Sequence, residues 1–142
     1  MKLVTSSNMQ VGPLSGIWRC SYYFPSNTHN GDDASSYYVR LERTQDGFVL
    51  HSLPNAQSAY IQAHCTLDAN LATGVWLENT APQGEFQGKM YSGVFQVIIS
   101  DDQKHMEGRW VGIGSDHGRQ KIYEGAWEIT YAGEVLKDLP EL

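Results

Sequence analysis

The 142-residue chain is poor in several things that usually announce a function. It has two cysteines, Cys20 and Cys65, and neither lies in a CxxC. Two are too few for a disulfide framework, which leaves two small core side chains or a single bridge. Basic residues are scarce, 10 against 16 acidic ones, for a net charge of −6. That balance argues against a nucleic-acid duplex or an anionic membrane as partner, since both reward a basic face. It leaves room for a small anionic ligand in a locally basic pocket. No apolar run approaches 18 residues, so no membrane span is expected. The opening "MKLVTSSNMQVGPLSG" has no apolar signal-peptide core, and a cytoplasmic location is expected.

Catalytic signatures are missing too. The five histidines (His29, His51, His64, His105, His117) form no HxH or HExxH pattern, so no metal site is expected. There is no GxSxG, no P-loop and no GxGxxG after a strand. "SDHG" at 115–118 is explained by turn geometry. The chain is therefore read as non-enzymatic, with no catalytic residues and no cofactor.

What is present favours β-structure. Aromatics reach 11% and there are 14 glycines. Eight alternating runs are separated by turn chemistry: Ser15–Phe24, Ser36–Thr44, Phe48–Leu53, Ala59–Leu67, Ala72–Thr80, Phe86–Ser100, Met106–Gly114 and Ile122–Tyr131. "QDG" after the second run and "DAN" after the fourth read as tight hairpin turns. No stretch sustains a period of 3.6. Short connections between successive runs predict an all-β fold, an eight-stranded antiparallel up-and-down barrel, with a two-sheet sandwich as the alternative. Residues 1–14 are read as a flexible lead-in, 15–132 as one barrel domain and 133–142 as a tail or short turn.

All four tryptophans sit two residues after a glycine: "GIW", "GVW", "GRW" and "GAW", ending at Trp18, Trp76, Trp110 and Trp127. In a strand, residues i and i+2 share a face. Each motif thus predicts a sharp bend and an inward ring beside the vacancy that the glycine leaves. Alternation then lists what shares the interior. Trp18 lies with Cys20, Tyr22 and Phe24. Trp76 lies with Glu78 and Thr80. Tyr91 lies on the apolar face of the sixth run. Trp110 has Gly112 and Gly114 beside it, as if room were left. Trp127 lies with Tyr123, Ile129 and Tyr131. An inward Glu78 must be paired, hydrogen-bonded or protonated, and its candidate partners are Tyr22, Tyr91, Arg109 and Arg40. Arg109 faces outward by strict alternation; a bulge near Gly108 would turn it inward, where it could grip a phosphate or carboxylate.

The motifs also carry a resemblance. "GIW…Y" at 16–22, "YYVRL" at 37–41, "SLP" at 52–54, "ATGVWLENTAPQG" at 72–84, "GKMYSGVFQ" at 88–96, "MEGRWVGIG" at 106–114 and "GAWEIT" at 125–130 form one pattern. It resembles the β-rich C-terminal domain of actinobacterial helix-turn-helix regulators, from about Gly16 to Thr130. Trp76, Glu78, Thr80, Tyr91, Arg109, Trp110 and Trp127 fall on matching positions. The helix-turn-helix part has no counterpart in these residues. The resemblance implies a sensor-like module. More distantly, an early G-x-W opening a barrel is similar to lipocalins and other calycins, which implies a cup for an amphipathic ligand. The terminal arginine of that group is not evident near Trp127. At fold level alone, the chain also resembles the small barrels by which bacterial anti-phage systems recognise cyclic nucleotides, without their two membrane helices.

The expectation is a non-catalytic barrel that binds a small molecule. The ligand would stack on Trp76 and Trp110, with Tyr22, Tyr91 and Glu78 orienting its polar groups and Thr80, Arg109 and Trp127 nearby. Its signal would pass to a partner signalling protein. Two other classes remain open. One is a filled barrel that dimerises or docks a protein through exposed Tyr23, Tyr37 and Tyr60. The other is a barrel isomerase built on a Glu78 of raised pKa.

Overall fold

The computed structural model describes residues 14–25, 32–53, 60–79, 90–116 and 118–142. The strands are β1 (Gly16–Pro25), β2 (Asp32–Arg43), β3 (Gly47–Ser52), β4 (Tyr60–Asp68), β5 (Leu71–Asn79), β6 (Met90–Ile99), β7 (His105–Asp116) and β8 (Arg119–Gly133). Each pairs antiparallel with the next, and β8 pairs with β1, so the sheet closes into a barrel in simple chain order. The sandwich is not needed. Eight strands make an interior that side chains can just fill, or that holds one small ligand.

The two ends of the barrel differ. Residues 44–46, 69–70 and 100–104 make the connections at one end. These turns are tight and self-satisfied. Thr44 N–H donates to the Gly47 carbonyl, and the Gly47 amide donates back to Thr44 Oγ1. Ser100 Oγ and the Lys104 amide both donate to Asp102 Oδ1. "QDG" and "DAN" therefore mark real hairpins. At the other end β1–β2, β3–β4 and β5–β6 are joined by residues 26–31, 53–59 and 80–89.

Boundaries shift in three places. β2 starts at Asp32, because Asp32 and Asp33 pair with Pro25 and Phe24. β7 and β8 run on to Asp116 and from Arg119, leaving two residues between them. The expected start of the sixth run at Phe86 lies outside the described residues. After β8 the chain turns through a short 3-10 helix, Leu136–Asp138, and Tyr38 Oη donates to the Pro140 carbonyl at 2.7 Å.

The core lies toward the tight-turn end. Trp18, Val39, Leu41, Phe48, Leu50, Val97, Met106 and Ile129 are fully buried. The indole of Trp18 donates to the Ser15 carbonyl at 2.9 Å and meets Tyr131 edge to face. Cys20 and Cys65 are both free and buried, so no bridge forms. Burial pushes the Cys20 thiol up to about 12. The Tyr37 hydroxyl and the Trp127 indole N–H have no oxygen or nitrogen partner, and both face the Cys20 sulfur, a weak acceptor. Tyr37 is thus an inward residue, opposite Cys20 in register, and not the exposed interface aromatic expected of it.

The glycines of the G-x-W motifs have two physical reasons. Gly16 sits at φ +89°, a conformation that glycine adopts without cost, beside the irregularity where β1 meets β8. Gly74, Gly108 and Gly125 lie where the neighbouring strand passes so close that a Cβ would stand about 2 Å from its carbonyl oxygen. The vacancy is filled differently: a ring from another strand takes it. Trp76 of β5 covers Gly112 of β7, and Trp110 of β7 covers Gly125 of β8.

Candidate functional site

The four indoles separate by depth. Trp18 and Trp127 are buried, and Trp127 meets Phe95 at 4.8 Å between centroids. Trp76 and Trp110 are half-buried, on the same inward face but further toward the long-connection end, where residues 26–31, 53–59 and 80–89 join the strands. They meet each other edge to face at 5.8 Å, and Tyr22 meets Trp110 edge to face at 6.4 Å. Tyr37 closes the group against Tyr22 at 5.7 Å. Such edge-to-face pairs hold the rings in fixed orientations.

Both indole N–H groups are already used. Trp76 Nε1 donates to the Val94 carbonyl at 3.1 Å, and Trp110 Nε1 donates to the Tyr23 carbonyl at 3.0 Å. A ligand meeting these rings would find π-surface and no donor. The room expected beside Trp110 is also occupied: Trp76 covers Gly112, and the Tyr123 ring covers Gly114.

The polar element of this end is Glu78. Its Oε2 accepts a 2.8 Å hydrogen bond from Tyr22 Oη, across the barrel from β1 to β5. Its register partners are Ile61 and Tyr91. Burial raises the Glu78 carboxyl above its ordinary value of 4.5, and the Tyr22 bond opposes the rise. Burial, and then the neighbouring Glu78 charge, raise Tyr22 in turn, so the phenol stays protonated and donates.

This geometry has a pH consequence. The folded protein holds the Glu78 proton at a higher pH than the unfolded chain does. Folding is then penalised above the raised value, and the penalty vanishes once the pH falls below 4.5. Glu78→Gln keeps an acceptor for Tyr22 and removes the charge. It is expected to stabilise the barrel at pH 7 and to raise its melting temperature. Thermal melts from pH 7 down to about pH 4 check this, since the gain should shrink to nothing on acidification. A gain that stays constant would place the charge in water.

Of the residues read from sequence, Tyr22, Glu78, Trp76 and Trp110 come together at the long-connection end. Tyr91 stands opposite Glu78 in register. Trp127 lies deeper, in the core. Arg109 does not join them. No bulge occurs at Gly108, so Arg109 faces outward and pairs with Glu124 at 3.1 Å. Thr80 lies outside the described residues. Tyr37 was missed as a member of the cluster, although its two-residue spacing from Val39 and Leu41 carried the signal.

Among the described residues no three metal-binding side chains cluster, and no helix is long and apolar enough to cross a membrane. No family model matches the chain, and no curated protein matches it significantly. Function has to be read from the geometry.

Proposed function

We propose that the barrel is a non-catalytic binding module that takes a small amphipathic molecule at its long-connection end. The observation that carries this reading is the Tyr22–Glu78 hydrogen bond, a half-buried acidic acceptor whose tyrosine partner meets Trp110, the neighbour of Trp76. A carboxylate is costly to bury in a core that apolar side chains could fill. Its place is explained if a ligand completes its hydrogen bonding. With both indole N–H groups used, the rings offer stacking and cation–π surface only. The polar end of the ligand must therefore donate to Glu78, and a cationic amine on an aromatic body fits best. In such a module signalling passes through a partner protein, and a bacterial sensor role agrees with the resemblance noted above.

A raised carboxyl beside a protonated tyrosine also suits proton abstraction from a carbon acid. This second reading predicts turnover that Glu78→Gln abolishes.

Titrating the protein with tryptamine, laurate and cyclic AMP tests the first reading by the heat of binding and melting temperature. Tryptamine should give a saturable heat of binding and raise the melting point, and Glu78→Gln should weaken its binding at least tenfold, about 1.4 kcal/mol. Response to laurate or cyclic AMP instead would keep a binding barrel and overturn the donor-end assignment. No response up to millimolar concentration, about −4 kcal/mol, would leave a filled barrel.

A further inference from the structure

The barrel wall is not uniform on its outside. On β1 to β4 the outward side chains include Arg19, Arg40, Glu42, His64 and Thr66, all exposed. On β5 to β7 they are polar toward the tight turns, with Thr73, Gln96, Glu107 and Arg109, and turn apolar toward the other end: Val75, Leu77, Val94 and Ile113, joined by Ile122 of β8, are all exposed. The inward faces of the same strands carry Trp76, Phe95 and Trp110. Strands that are apolar on both faces are characteristic of sheets covered on both sides. Here one side is the barrel interior, and the other has no cover among the described residues.

The patch is contiguous. Val75, Val94 and Val111 stand opposite one another across three strands, and Ile113 stands opposite Ile122. Val94 and Ile113 are 52% and 50% exposed, and Ile122 is 61% exposed. Between these side chains runs a groove of about 570 Å³, with Gly93 and Gly112 among the residues that line it.

We infer that this wall is a self-association face through which two copies of the chain pair back to back. Area supports a pair. The exposed apolar side chains present on the order of 400 Å², as large as the largest patch on a typical monomer, which is often functional, and about half of the roughly 800 Å² per partner of a stable complex. Charge supports a like copy meeting here. Two chains of net charge −6 must approach on neutral ground. The ion pair that borders the patch, Arg109 with Glu124, cancels itself. Gln96 and Thr73, hydrogen-bonded at 3.0 Å, border it with neutral groups, which gives an apolar centre with a polar rim. Shape supports a crossed arrangement. A barrel wall is convex around the barrel and concave along coiled strands. Two such saddles fit when their strands cross near a right angle, and a two-fold axis makes the contact closed.

Sedimentation velocity on the full chain, from about 1 to about 100 µM, tests the pair. The expected result is a species of twice 15.9 kDa at the upper concentrations. Val94→Lys combined with Ile113→Lys should weaken association at least tenfold, while Arg40→Ala on the polar wall leaves it unchanged. Should the double variant fail to melt cooperatively, Ile122→Ser, at the exposed edge, replaces it with the same expectation. A wild-type chain that stays monomeric overturns the proposal, and so does a dimer that folded patch variants leave intact. A monomer that floats with phosphatidylcholine vesicles also overturns it and reassigns the wall to lipid.

Discussion

Replacing Gly125 by alanine is expected to unfold the barrel. The added Cβ would stand 2.0 Å from the Tyr23 carbonyl oxygen and 2.7 Å from Trp110 Nε1. The first of these is backbone and cannot swing aside. The second belongs to the indole that donates to that same carbonyl. One methyl group therefore forces β8 from β1, where the barrel closes, and breaks the hydrogen bond that seats Trp110. Overpacking of a core side chain typically costs 1–3 kcal/mol. A clash with a neighbouring strand has no rotamer to relax into, so a loss above about 4 kcal/mol is expected. Chemical denaturation measures it. Glu128→Ala, exposed on the outer face of the same strand, should stay within about 0.5 kcal/mol of wild type. A Gly125→Ala protein of near-native stability would mean that the two strands are further apart than described here.

The second large effect divides the tryptophans. Trp18→Ala removes a fully buried indole, its bond to Ser15 and its edge contact with Tyr131. Trp127→Ala opens the core beside Phe95. Each should cost about 3–5 kcal/mol. Trp76→Ala and Trp110→Ala empty half-buried positions that water can enter, and should cost about 1–2 kcal/mol. If all four cost the same, Trp76 and Trp110 are ordinary core and the proposed site loses its floor. If the costs divide as expected, Trp76 and Trp110 are free to serve binding.

This division shows what the sequence could and could not say. Alternation told which face each residue takes, and it placed Trp18, Cys20, Tyr22, Trp76, Glu78, Trp110 and Trp127 inside. Parity carries no depth, however. Whether an inward indole is buried depends on what stands opposite in register, as Val39 and Tyr131 flank Trp18. That is a long-range property. The same limit explains Gly112. Its vacancy looked like room beside Trp110, but the ring of Trp76 reaches it from two strands away. Glu78 was legible as an inward carboxylate, and choosing Tyr22 from its four candidate partners took closure of the barrel. Asp32 and Asp33 carry no alternation, which hid the first turn of β2. Arg109 obeyed strict alternation, so its outward direction was readable while Glu124 as its partner was not.

In the proposed reading the long-connection end, and not the core, receives a ligand. Fluorine NMR of protein carrying 5-fluorotryptophan tests it most directly, because the four indoles report separately. On addition of tryptamine the resonances of Trp76 and Trp110 should move, and those of Trp18 and Trp127 should stay. Equal movement of all four, or of the buried pair alone, would contradict a site at the long-connection end.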